Sequence, residues 1–136
     1  MWFAHDRFVR ASRAAERPAT DKGIVGDAFE ALDSVRSGDY TKWNIVYEPS
    51  NLRIHFRSLK NPKIKTISLA QFERFCQTPV MMADVDLDSA GDAFSRFMVY
   101  DGEVNRQLVS KSLQDILGQL PPGSAEQLAA YPESQR

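Results

Sequence analysis

An α+β fold, with helices stacked on one face of an antiparallel sheet, is what the order of hydrophobic periods predicts. Three observations carry that prediction. Apolar residues recur at helical spacing as far as Val35, alternate with a period of two from Lys42 to Leu69, and return to helical spacing after Gly102. A chain of 136 residues, 43% apolar and 26% charged, has room for one domain with a buried core, which excludes disorder, collagen-like repetition and a disulfide scaffold. One domain over residues 1–120 and a polar, frayed tail over 121–136 are expected.

The first helix is expected from Ala4 to Glu16, with Phe8, Ala11 and Ala15 as its packing stripe, arginines on the other faces and Pro18 as its stop. The second places Ile24, Val25, Ala28, Phe29, Leu32 and Val35 opposite Asp27, Glu30 and Asp33, and Gly38 is the expected C-terminal cap. A β-hairpin follows. Trp43, Ile45 and Tyr47 alternate with Asn44, Val46 and Glu48, Pro49-Ser50-Asn51 turns the chain, and Leu52, Ile54 and Phe56 alternate with Arg53, His55 and Arg57. A turn at Asn61-Pro62 leads to a third strand through Ile64, Ile67 and Leu69, so one apolar face should be buried and one polar face solvated. Gln71–Cys76 reads as a short helix and Pro79–Val85 as a short strand. A last helix from Gly102 to Leu120 uses Val104, Leu108, Leu113, Ile116, Leu117 and Leu120, and ends at Pro121-Pro122-Gly123. The phenylalanines, with Trp2 and Trp43, are a supply rich enough to serve an extended sheet completed by further sequence.

Charge and composition narrow the function classes. Seventeen Lys plus Arg against eighteen Asp plus Glu leave a net charge of −1, so no global field draws the chain to nucleic acid or an anionic membrane. No apolar run approaches the roughly 20 residues needed to span a bilayer. The first dozen residues do not read as an export signal, so the expected location is cytoplasmic, or periplasmic if the true N-terminus lies further upstream. Cys76 is the one cysteine and has no partner for a disulfide or a thiolate metal site; with only His5 and His55 besides, neither a metal nor a cofactor is expected.

Four constellations remain. Arg53, Arg57, Lys60, Lys63 and Lys65, interleaved with His55 and Phe56, form either a phosphate-holding strip or, as preferred, a solvated strand face that discourages edge pairing. Asp84, Asp86 and Asp88 have the spacing of the first half of a calcium loop, but Ser89 and Ser95 stand at its two diagnostic places, so a turn rimmed by carboxylates is the simpler reading. Cys76 lies among apolar residues and reads as a buried small hydrophobe rather than a nucleophile. Arg7, Arg10, Arg13 and Arg17 line one face of the first helix, which wants anions or is simply solvated and paired with Asp6 and Glu16.

Arg7-Phe8-Val9-Arg10-Ala11 opening a helix, then Tyr40 to Tyr47, Asn51 to Arg57 and Asn61-Pro62-Lys63-Ile64, together resemble the C-terminal part of the choloylglycine hydrolase and penicillin V acylase family. The resemblance covers residues 3–85 and fades beyond them. It implies a linear-amide C–N hydrolase with the N-terminal nucleophile fold, an αββα sandwich of which this chain is part. It further implies a cysteine at the mature N-terminus that attacks the amide carbonyl with its own α-amino group as base. Arg10 matches the arginine of that family's active site, where a guanidinium orients the nucleophile and steadies charge on the attacked carbonyl. This chain begins Met1-Trp2 and holds no such cysteine, so the resemblance implies a C-terminal segment that is inactive alone, acts on a small N-acyl amide once completed, and is prone to self-association. The rival from another class is a non-catalytic binding or assembly module using a sheet edge and the arginine-rich helix face.

Overall fold

The computed structural model describes residues 2–72, 79–114 and 117–134. In chain order its helices and strands are α1 (Trp2–Ala15), α2 (Gly23–Ser34), β1 (Trp43–Glu48), β2 (Arg53–Ser58), β3 (Lys65–Ser68), β4 (Met81–Met82), β5 (Gly91–Asp92), β6 (Met98–Val99), α3 (Gly102–Leu113) and α4 (Ser124–Ser134). The class is α+β. Two compact units divide the chain: Met1–Thr78 with Ala83–Phe97, and Pro79–Met82 with Met98–Arg136. These boundaries differ from the expected division at residue 120.

In the first unit α1 starts and stops near its predicted bounds, but its packing stripe is not the predicted one. Phe8 is 71% exposed and Ala11 and Ala15 are exposed too, while Val9 and Ser12 are half-buried. The cause is Arg10, which donates from Nη1 to the Ser34 carbonyl at 2.6 Å and pairs through Nη2 with Asp6 at 2.8 Å. That anchor on the last turn of α2 sets the rotation of α1 and turns Phe8 outward. α2 follows its predicted stripe, with Phe29 in the core, although Ile24 at its first turn is exposed. Its end comes earlier than Gly38: Val35 caps it, and Gly38, at φ 49°, opens a separate 3-10 turn, Gly38–Tyr40.

β1, β2, β3 and β5 form one sheet in that order, antiparallel except for the β3–β5 pair. The hairpin turn is the Pro49–Asn51 predicted, but Leu52, expected as a strand residue, sits at φ 50° in the left-handed region to close it, and is half-exposed. Pairing of Ile45 with Phe56, Tyr47 with Ile54, Ile54 with Ile67 and Phe56 with Lys65 gathers these side chains on one face with Trp43. The other face carries Asn44, Val46, Glu48, Arg53, His55, Arg57 and Thr66.

The helix covers the second of these, the reverse of expectation. The Arg57 guanidinium lies 4.7 Å from the Phe29 ring centroid and bonds Asp33 Oδ1 at 2.5 Å, which places α2 on the Arg57 face. His55 is 7% exposed, so the solvated-face reading holds for Arg53 alone of that strand's three basic residues. Meanwhile Trp43 is 55% and Tyr47 66% exposed on the apolar face. Residue types told the two faces apart correctly; they did not tell which one a helix would cover, because an arginine stem and a phenylalanine ring can seal a face that reads as polar. Beyond β3, Leu69–Gln71 is a short 3-10 turn whose Ser68 and Gln71 cap each other, and Phe72 packs edge-on against Phe94 and Phe97. The rest of the short helix expected to Cys76 lies outside the described residues.

In the second unit β4 pairs antiparallel with β6, so the strand expected over Pro79–Val85 is reduced to two residues. α3 begins at a well-made cap, where Asp101 Oδ1 accepts from Glu103 N at 2.8 Å and Val104 N at 3.4 Å. It ends at Leu113 rather than Leu120. The expected frayed tail is instead α4, seated against α3 with Ala129 buried and Asn105 Nδ2 donating to the Ala129 carbonyl at 2.8 Å. Pro121-Pro122-Gly123, expected to stop the helix, instead leads into α4 with Gly123 at φ 82°, and the small Ala129 lets α3 and α4 approach closely.

Candidate functional site

The basic and acidic runs of the sequence meet in the first unit. Ser58 to Lys65 turns the chain between β2 and β3, and Asp84 to Asp88 folds against that turn. Asn61 is the hinge pin: its backbone N donates to Ser58 Oγ at 3.0 Å, and its Nδ2 donates to the Leu87 carbonyl at 3.0 Å and to Asp88 Oδ1 at 3.1 Å. Lys63 reaches Asp88 at 2.7 Å and Lys60 reaches Asp86 at 3.1 Å. The Asp88 carboxyl is held below its ordinary range by Lys63 and Asn61, and that of Asp86 by the Ser58 hydroxyl and then Lys60. These carboxylates are taken up by cations of the chain itself. Among the described residues no group of three His, Cys, Asp or Glu side chains is placed to hold a metal ion.

Lys65, assigned to the exposed basic strip, is completely buried. Its Nζ donates to the carbonyls of Asn61 at 3.3 Å and Leu87 at 3.4 Å and lies 5.6 Å from the Phe56 ring centroid. Burial pushes its pKa down, against the pull of Asp86, Asp88 and Asp84. The turn geometry explains the misreading, since pairing Phe56 with Lys65 puts the lysine on the apolar face, where the 84–88 segment closes over it.

At the other end of the helix-covered face, three side chains form a line. His55 Nε2 lies 3.1 Å from Glu48 Oε2, and its Nδ1 lies 3.0 Å from Thr66 Oγ1. A carboxylate can only accept, so Nε2 carries a proton and, in the neutral ring, Nδ1 accepts from the Thr66 hydroxyl. Glu48 also takes a bond from Asn51 Nδ2 at 2.5 Å, and the two together hold its carboxyl below the usual range. The line ties the hairpin turn to the third strand. Spacing in the sequence did not reveal it, but the register does, because His55 and Thr66 are direct cross-strand partners.

Arg10, the residue singled out by resemblance, is on the exposed side of α1 with its guanidinium turned to the end of α2, bridging Asp6 and the Ser34 carbonyl. Cys76 lies outside the described residues. The structure does not bring Arg10 together with the 58–65 turn through any contact among described residues.

No protein-family model, no curated protein and no solved structure matches this chain. No helix among the described residues is long and apolar enough to cross a membrane.

Proposed function

We propose that this chain is the C-terminal segment of an enzyme that hydrolyses linear amide C–N bonds of N-acyl amides, of the bile-salt hydrolase or penicillin V acylase type. One observation supports the reading: the apolar face of the sheet is left open along its β1 edge. α2 covers the Arg57 face, while Trp43 and Tyr47 stand exposed on the opposite, apolar face, where the second sheet of an αββα fold would pack. The order of α1, α2 and a three-stranded meander agrees with the part of that fold which the resemblance covers.

In this reading the nucleophile belongs to the part preceding the chain. A thiol attacks the amide carbonyl, the α-amino group takes its proton and returns it to the leaving amine, and water then releases the acyl group. Arg10 steadies the charge that develops on the carbonyl oxygen. Asp6 and the Ser34 carbonyl fix its plane, leaving further N–H donors for a substrate. The chain alone then turns over neither a conjugated bile acid nor penicillin V, and the coding sequence upstream of Met1 continues in frame to a cysteine that processing can expose. Turnover by the purified chain that survives Cys76→Ala would overturn the assignment. An upstream stop codon with no such cysteine would favour the non-catalytic module, using β1 as a free sheet edge.

A further inference from the structure

A cavity of about 230 Å³ opens at the end of the hairpin beside the last turn of α2, lined by Asp33, Arg36, Thr41, Asn44, Arg57 and Pro62 among others. Its chemistry is that of a donor cluster. Arg57 is held by the Phe29 ring, 4.7 Å from one face of its guanidinium, and through Nη2 alone by Asp33 Oδ1 at 2.5 Å and the Phe29 carbonyl at 3.4 Å. Its Nε and Nη1 groups have no protein acceptor among the described residues. Asn44 is the direct cross-strand partner of Arg57, and its side-chain amide has no partner among the described residues either. Thr41 Oγ1 accepts from Ser37 N at 3.1 Å, so its hydroxyl proton remains to be donated. Arg36 stands exposed at the rim without an ion pair among the described residues. Two guanidinium charges thus face one carboxylate, and N–H and O–H donors outnumber acceptors.

We propose that this cavity binds a small oxyanion, a carboxylate or phosphate group on a compact polar molecule, held between Arg57 and Arg36 with the Asn44 amide and the Thr41 hydroxyl as further donors. With Nη2 taken by Asp33 and the Phe29 carbonyl, Arg57 offers its Nε–H and Nη1–H groups as separate charge-assisted donors, and the fork of Arg36 is left for the paired oxygens of either group. The volume lies below the roughly 300–1,000 Å³ of sites for larger ligands, which limits the occupant to the anionic group and a short body. A cation is disfavoured by the two arginines, and an apolar ligand by the unpaired donors it would strand. The inference rests on the cavity alone and stands whether or not the chain belongs to a hydrolase.

The test is titration of the purified, isotope-labelled chain with inorganic phosphate, and separately with malonate, at constant ionic strength. The expected result is saturable movement of the Asn44 side-chain amide and the Thr41 and Arg57 signals, with chloride producing none. Arg36→Gln, a substitution at an exposed position, should weaken binding about tenfold while the rest of the spectrum is unchanged, the loss expected for one charge-assisted contact. Whichever probe binds more tightly names the group the ligand carries. Absence of saturation with both anions, or equal affinity in the Arg36→Gln protein, overturns the proposal.

Discussion

Lys65 is the residue whose surroundings contrast most with its chemistry, an ammonium with no exposed surface and two carbonyl partners. Both carbonyls have other donors, Asn61 O from Ser58 N and Leu87 O from Asn61 Nδ2, so removing the ammonium strands neither. Lys65→Met should therefore leave stability at pH 7 unchanged or raise it by about 1 kcal/mol, as removal of a buried charge often does, and urea titration reads the difference. Because burial lowers its pKa in the folded state, the unfolded chain binds more protons between that lowered value and the ordinary value of about 10.4. Stability should rise with pH through that window, and the methionine variant should lose this rise. The carboxylates behave oppositely. Glu48, Asp86 and Asp88 are all held below their ordinary ranges, so the stability they contribute is present at neutral pH and lost as pH falls through those lowered values. At this scale the sequence was a poor guide, since Lys65 and His55 look like neighbours in a basic strip. Only the register of β2 with β3 buries one beside Phe56 and joins the other to Thr66.

At the scale of elements, the hairpin was legible because alternation and a Pro-Ser-Asn turn report directly on backbone geometry. Its one irregular residue, Leu52, was not. A leucine at φ 50° is strained by roughly 1 kcal/mol or more, and half of its surface is already exposed. Leu52→Gly should raise the thermal midpoint, with a gain of about 0.5–1 kcal/mol after glycine's greater freedom in the unfolded chain is deducted; a fall would show that the leucine contacts outweigh the strain. α1 shows the complementary failure, where Phe8, Ala11 and Ala15 made the better apolar stripe on paper and Arg10 decided the rotation through a carbonyl of α2. α4 escaped because a polar composition conceals the one small residue, Ala129, on which the helix seats. Replacing it by Asp would bury an unpaired carboxylate and should release α4, seen as faster amide exchange across 124–134.

For the whole molecule the decisive feature is a sheet with α2 on one face and an apolar face that is closed at Phe56 and Lys65 but open at Trp43 and Tyr47 along β1. In water such a face seeks cover, so the chain alone should associate with rising concentration, and Trp43→Ser combined with Tyr47→Thr should keep it monomeric in sedimentation experiments. The α+β class could be read from periodicity, whereas the choice of covered face depended on Arg57 reaching Phe29 and Asp33, a contact between residues far apart in sequence. The claim that this sheet is half of an amide hydrolase is tested most directly by kinetics on the uninterrupted reading frame, expressed with everything encoded upstream of Met1. The account predicts hydrolysis of an N-acyl amide, with kcat/KM falling on the order of a hundredfold in the Arg10→Lys protein while its melting temperature is retained. Hydrolysis unaffected by Arg10→Lys, or no hydrolysis by a folded full-length protein bearing an N-terminal cysteine, would contradict it.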